Sequence, residues 1–460
     1  MKQLRFSWNY LKSRLKKKRQ HVLINISKIT LPSFERTQGE TLLPKLLFKG
    51  LISPTLTQRC AIFLTAIFSL ACTSAYAQHR FLPEVSTVVL PSSVHTLMGK
   101  SGSLRALDKE WRANPEDLKI ALAYARQVFN LGSSEGDLRW YGSAKAALRP
   151  WWSVTDLPAD GFFMRGLVKQ GFHDFDGGLN DINQAISLDP KHAEYWSWRF
   201  SLHLMQANMD AAQQDVYEMQ KLFGSEEANI YQAVLLYRTG QPLQALKLLG
   251  ESIRSSSYQD AASQIWIGFH LGEASRVANQ PDKALTLWRR LLEAYPQSHL
   301  LRLSLADLLN QKKKYKEAKA VATLNSSTIT SNLTDALLMQ ALIASRGLNA
   351  NDEVSLASQM AARLQTQSLR QESLIERPRL IYQIAYGNNL ASGLALSIEN
   401  WKLQKEPTDA VLFLQAALAL NQAKSAEPVV RWAASTKYSD PQLSPLIDAI
   451  LKHPSWSGRS

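Results

Sequence analysis

From Ser103 to the C-terminus, apolar residues recur at helical spacing, with little of the strict alternation that marks strands. Small residues that open a helix recur at Ala144, Gly178, Ala212, Ala245, Ala284 and Ala318, at intervals of 34, 34, 33, 39 and 34 residues. Gly166, Ala233, Gly272 and Ala306 each lie twelve residues before the small residue of their own unit. Phe175 and Tyr315 lie three before it, and Pro190 and Pro296 twelve after it. A period of this length marks an array of stacked supersecondary units.

The residue types explain the spacing. Two small residues twelve apart let the helices of a hairpin cross closely, because interhelical distance follows the contact side chains. The aromatic fills the space above the turn. Proline ends the second helix, since it cannot continue one. In Gln241-Pro242 and Gln280-Pro281 it sits at a helix start, where its missing N–H costs little. The segments FMRGLVKQGFHDFDGGLNDINQAISLDP and HLGEASRVANQPDKALTLWRRLLEAYP carry the pattern most fully. From about Asn114 to Thr330 the chain resembles the tetratricopeptide repeats. That resemblance implies an all-α right-handed superhelix, an α-solenoid of helical hairpins. RWYGSAKAALRPWW and ALSIENWKLQKEPTDAVLFLQAAL are similar to segments of secreted tetratricopeptide-repeat proteins of Gram-negative bacteria, which implies an envelope location.

Two departures stand out. Gly132 to Trp140 reads as a longer turn ahead of Ala144, so the first hairpin is atypical. Ser255 to Tyr258 reads as a loop inserted in the interval of 39. After Thr330 the marks weaken. Leu333–Arg346 with Val354–Gln367, Leu380–Gly387 with Ala391–Gln404, and Asp409–Gln422 with Ser425–Ser435 read as three degenerate hairpins. Pro441–Lys452 reads as the capping helix that a solenoid end needs for solubility.

The N-terminal part has a different character. Ala61 to Ala71 is an apolar run behind Arg59, and Ala75-Tyr76-Ala77 fits a signal-peptidase site with cleavage before Gln78. Two alternatives stay open. One is an uncleaved anchor; the other is a lipoprotein, with Cys72 following Ser69-Leu70-Ala71. The first 59 residues are either a start placed too far upstream or a basic cytoplasmic arm. The domains expected are a basic extension at 1–59, a signal at 60–77, a linker at 78–102, the repeat array at 103–330 and degenerate hairpins at 331–460. The body is expected in the periplasm or secreted, or anchored in the inner membrane and facing the periplasm.

Charge and composition narrow the function. The formal charge is +14, but residues 1–60 hold 13 Lys+Arg and 2 Asp+Glu, so the remaining 400 residues hold 40 and 37. A nearly neutral body lacks the basic footprint of a nucleic-acid binder, so no nucleic-acid partner is expected. Cys60 and Cys72, the two cysteines of the chain, both fall in the signal region. The cleaved form would carry neither a disulfide framework nor a cysteine nucleophile. No HExxH, Gly-rich phosphate loop or G-x-S-x-G appears. Gly171-Phe-His-Asp-Phe-Asp-Gly-Gly178 suggests a calcium loop, but Ala185 stands where its closing Glu should be. The same segment coincides with a turn between paired helices, which explains its Gly and Asp. Trp151 and Trp152 read as packing between units, and Trp196 as core. No catalytic residue, cofactor or metal is expected.

The resemblance implies a groove lined by the first helix of each hairpin. On this sequence its residues are Phe163, Glu194, Ser197, Ser201, Ile230, Tyr237, Arg238, Trp266, Phe269, Glu273, Arg276, Leu303, Asp307 and Asn310. Aromatics beside arginine suit a protein or peptide partner. The reading is a non-catalytic scaffold that holds an envelope protein or peptide, with membrane contact only through an uncleaved signal. Stacking on the sugars of a glycan or peptidoglycan is the alternative, and an enzyme subunit a more distant one.

Overall fold

The computed structural model describes residues 102–456 apart from 136, 138, 325–332, 370–376 and 387–388. The extension, the signal and all but the last residue of the linker lie outside the described residues. The described residues belong to one compact unit, Val88–Ser460. They contain 20 α-helices, three 3-10 turns and no strand.

Helix α1 (Gly102–Ala113) precedes the array. The first three hairpins pair α2 (Leu118–Glu135) with α3 (Arg139–Ala147), α4 (Ala159–Gly171) with α5 (Phe175–Leu188), and α6 (Ala193–Met205) with α7 (Met209–Phe223). The next three pair α8 (Ser225–Arg238) with α9 (Pro242–Ser252), α10 (Ala261–Val277) with α11 (Pro281–Ala294), and α12 (His299–Gln311) with α13 (Tyr315–Thr323). The weaker region continues with α14 (Asp335–Gly347) and α15 (Glu353–Leu369), then α16 (Arg377–Ala385) and α17 (Leu390–Leu403). After α18 (Pro407–Ala419), a 3-10 turn at Ala423–Ala426 leads into α19 (Glu427–Thr436), and α20 (Leu443–Lys452) packs back on α18.

The small residues sit where the period placed them. Ala144, Ala212, Ala245, Ala284 and Ala318 are fully buried. A Cβ on Gly166 would come within 3.0 Å of the Gly178 carbonyl and of Ile182. Gly132 does not open a long turn. It lies inside α2, which runs to Glu135, and it must be glycine there because the Tyr141 ring comes within 2.8 Å of where a Cβ would stand. The 39-residue interval holds a 3-10 turn, Ser256–Tyr258.

Each described turn within a hairpin uses one left-handed residue. His173, Ala207, Asn279, Lys313, Asn349 and Asn421 have φ between 50° and 62°, and Gly240 has φ 81°. The next N–H reaches back five residues to a helix carbonyl, as in Asn208 to His203 and Lys314 to Leu309, both 2.8 Å. This is the Schellman closure, which satisfies carbonyls left open at the helix end. Most of these turns place a side chain where glycine would be at ease. Relief of a left-handed cost of roughly 1–2 kcal/mol, less glycine's larger entropy loss, leaves a gain of about 0.5–1 kcal/mol. Lys313→Gly, at an exposed turn, should raise the thermal midpoint accordingly; a lowered midpoint would refute this account of the turn.

Successive first helices pack on one another, α2 on α4, α4 on α6, and so on to α16 on α18. The second helices instead fit between neighbouring first helices. The array therefore curls with its first helices inside. It curls tightly enough for α12 to touch α2. The apolar core is in three parts. The largest joins residues of α1–α10 to residues of α17–α20, and two smaller ones lie within α11–α14 and α12–α15.

Candidate functional site

The inner face carries a ladder of rings drawn from successive first helices. Phe200 meets Tyr231 edge-on at 5.4 Å, and Tyr231 tilts against Trp266 at 5.4 Å. Trp266 and Phe269 then flank His270 at 4.4 and 4.8 Å. Tyr237 shares a 2.9 Å hydrogen bond with His270 Nδ1. Burial, with Arg238 nearby, pushes the His270 pKa down to about 3, so the imidazole is neutral and acts as a packing and hydrogen-bonding group. Phe200, Tyr231 and His270 extend the set beyond the residues read from the sequence. The signal for Tyr231 was its place 35 residues before Trp266.

At the N-terminal side of the ladder, Arg126 of α2 donates to Glu194 of α6 at 2.7 Å and lies over the Phe163 ring at 5.0 Å. Ser197 and Ser201 donate to carbonyls of their own helix, both at 2.9 Å. On α12, Asp307 accepts from Gln311 at 2.7 Å and from Gln340 of α14 at 3.2 Å. Asn310 donates to the Gln340 side-chain oxygen at 2.8 Å. Burial raises the Asp307 pKa, with Glu273 adding to the effect against Arg276.

None of the fourteen groove residues is exposed. Phe163, Ile230, Tyr237, Arg238 and Asn310 are buried, and the other nine are half-buried. The chain itself covers the rim: the segments that flank the C-terminal hairpin, α18–α19, close on the ends of α6, α8 and α10. The Lys405 N–H donates to the Met205 carbonyl at 2.6 Å. Arg238 donates to both carboxylate oxygens of Glu406 at 3.1 Å. Arg276 donates to Asp440 at 3.0 Å and to Glu273 at 3.1 Å, within reach of the Tyr438 hydroxyl at 3.4 Å. Burial works against the Arg276 cation, and Glu273, Tyr438 and Asp440 outweigh it, so its pKa lies well above the ordinary value. In the turn after α8, the missing side chain of Gly240 makes room for the Lys437 carbonyl, 2.6 Å from where a Cβ would stand.

A second set of ions went unread in the sequence. In the second hairpin Arg165 pairs with both oxygens of Asp181 at 2.7 Å, and Lys169 adds a 2.8 Å contact. One repeat later Arg199 pairs with Asp215 at 2.5 Å, and His203 stands where Lys169 stood. The offset of 34 residues was visible in the sequence, but the pairing rises above a background of solvated helix charge only once the helices are paired. Trp151 is held by Arg165, which donates to its carbonyl at 2.8 Å, and Trp196 donates its indole N–H to the Pro190 carbonyl at 2.8 Å. At the suspected calcium segment, His173 is the left-handed turn residue and Asp174 caps α5 by accepting from the Gly177 N–H. Among the described residues no group of three or more His, Cys, Asp or Glu is placed to hold a metal ion.

Residues 269–323, covering α11, α12 and α13 and the end of α10, match a family model described as tetratricopeptide repeat. The chain carries tetratricopeptide repeats. No curated protein matches it. Solved structures similar to it include PilW, a widely conserved type IV pilus biogenesis factor, at 16% identity over 45% of this chain and 93% of that one, with a TM-score of 0.36. Pseudomonas aeruginosa PilF is 17% identical over 46% of this chain and 97% of its own, with a TM-score of 0.33. A Rap protein complexed with competence and sporulation factor is 12% identical over 77% and 100%, with a TM-score of 0.43. Among the described residues no helix is long and apolar enough to cross a membrane. The ladder runs along the first helices of three hairpins, α6, α8 and α10.

Proposed function

We propose that the chain is a non-catalytic tetratricopeptide scaffold that holds a protein or peptide segment along its inner face. The observation that carries the reading is the ring ladder, where half-buried Tyr231, Trp266 and Phe269 stand in register on α8 and α10. Large rings beside charged groups are the residue types that concentrate binding energy at interfaces. The apolar run at 61–71 and the Ala75-Tyr76-Ala77 motif support export, so the partner belongs to the cell envelope.

Arg276 holds the C-terminal hairpin, so the ladder is better tested without touching it. A tagged full-length chain should capture a stoichiometric partner from an envelope extract, identified by mass spectrometry. Trp266→Ala with Phe269→Ala should abolish capture and leave the helical circular-dichroism signal intact. Undiminished capture by that variant would remove the ladder from the site. Retention of the chain on cell-wall sacculi, with no protein captured, would favour the glycan reading instead.

A further inference from the structure

We infer that the C-terminal hairpin is a clasp that holds the superhelix shut over its own inner face, and that its release admits the partner segment. The inference rests on the docking reading only for what release exposes; the clasp itself is testable without a partner.

Three observations carry it. The rim of the inner face is covered at the ends of α8 and α10, where Tyr237 and Arg238 are buried and Arg276 is half-buried under the segments that flank the α18–α19 hairpin. The polar contacts that close it gather at a few rim points. They are Arg238 with Glu406, 168 residues apart, Arg276 with Asp440, 164 apart, and the Lys405 to Met205 backbone bond. The Gly240 contact with Lys437 joins the turn after α8 to the end of α19. Finally, the apolar core is divided: residues of α11–α15 form two interlocked smaller clusters apart from the large one, between the two ends the clasp joins. In a stack of hairpins each unit touches mainly its neighbours, so contacts that join distant units bear directly on whether the stack stays closed. Apolar packing contributes to closure, since α17–α20 share one core cluster with α1–α10, and buried Arg238 and half-buried Arg276 carry its charged contacts. Loss of one partner of a buried pair leaves a charge that the closed state cannot accommodate.

The test places spin labels on exposed residues either side of the rim, Asn279→Cys and Ala434→Cys, in a full-length chain carrying Cys60→Ser and Cys72→Ser. Pulsed electron resonance should give one narrow distance. Glu406→Gln with Asp440→Asn removes both carboxylates at constant shape and should add a longer, broader population. Gly240→Ala wedges the same rim without altering charge and should do the same, so the proposal stays testable if the double variant fails to fold. Asp181→Asn, which breaks a buried pair inside one hairpin, should lower the melting temperature and leave the distance unchanged. An unchanged distance in a folded clasp variant, or equal broadening in Asp181→Asn, would overturn the clasp. If the clasp opens and partner capture does not rise, the clasp stands and the docking reading fails.

Discussion

Arg276→Met should destabilise the fold by about 3–5 kcal/mol, the cost of leaving a buried carboxylate without its cation. The Asp440 side chain is 1% exposed, and Glu273 loses the same partner. Methionine keeps most of the volume, so the loss reports charge more than packing. The pH dependence separates the two. Burial pushes the Asp440 pKa up, but Arg276, the Leu443 N–H and the Tyr438 hydroxyl outweigh it, and the pKa lies below the ordinary value. A carboxylate depressed on folding contributes stability above its unfolded pKa of about 3.9, and that contribution is lost as pH falls through the folded value. Without Arg276 the largest lowering influence is gone and burial dominates, so the folded pKa rises. The penalty should therefore be greatest at neutral pH and shrink toward about pH 3. Urea titrations across that range check it. A penalty independent of pH would mean that Arg276 acts through packing alone.

Trp288→Ala should cost a similar amount, about 3–5 kcal/mol. The ring is 1% exposed in the middle core. It lies so close over α10 that a Cβ on Gly272 would come within 2.2 Å of it, and its N–H donates to the Gly268 carbonyl at 3.3 Å. Gly272→Val attacks the same contact from the other side, where overpacking costs about 1–3 kcal/mol. The effects should be less than additive in the double variant, since the alanine vacates the space the valine needs. Chemical denaturation of the four proteins tests the pairing, and full additivity would contradict it.

The array was legible because its rule is local. A 34-residue spacing of small residues can be read along the chain, and Gly166, Gly178 and Gly272 sit at the close crossings it implied. The left-handed turns were harder to read, because His173, Ala207 and Lys313 carry no glycine to announce them. The inner face was legible only as a list of positions. The resemblance names the first-helix positions that would face a groove, and it does not say what lies against them. Glu406 and Asp440 lie in short segments beside helices whose repeat marks are weak, and they meet Arg238 and Arg276 across more than 160 residues. Only the curvature of the whole array brings those ions together. Arg165 and Asp181 lie between these cases, repeated at 34 residues but charged like any solvated helix face.

The central claim is that the partner docks on the inner face. Its most direct test is a photo-crosslinking pair in the full-length chain in cells. Benzoylphenylalanine replaces Phe269 on the inner ladder in one version and Tyr217, 53% exposed on the second helix of the third hairpin, in the other. The account predicts a single partner adduct from position 269 and none from 217. An adduct from 217 alone would place the binding surface on the outside of the superhelix and contradict the account.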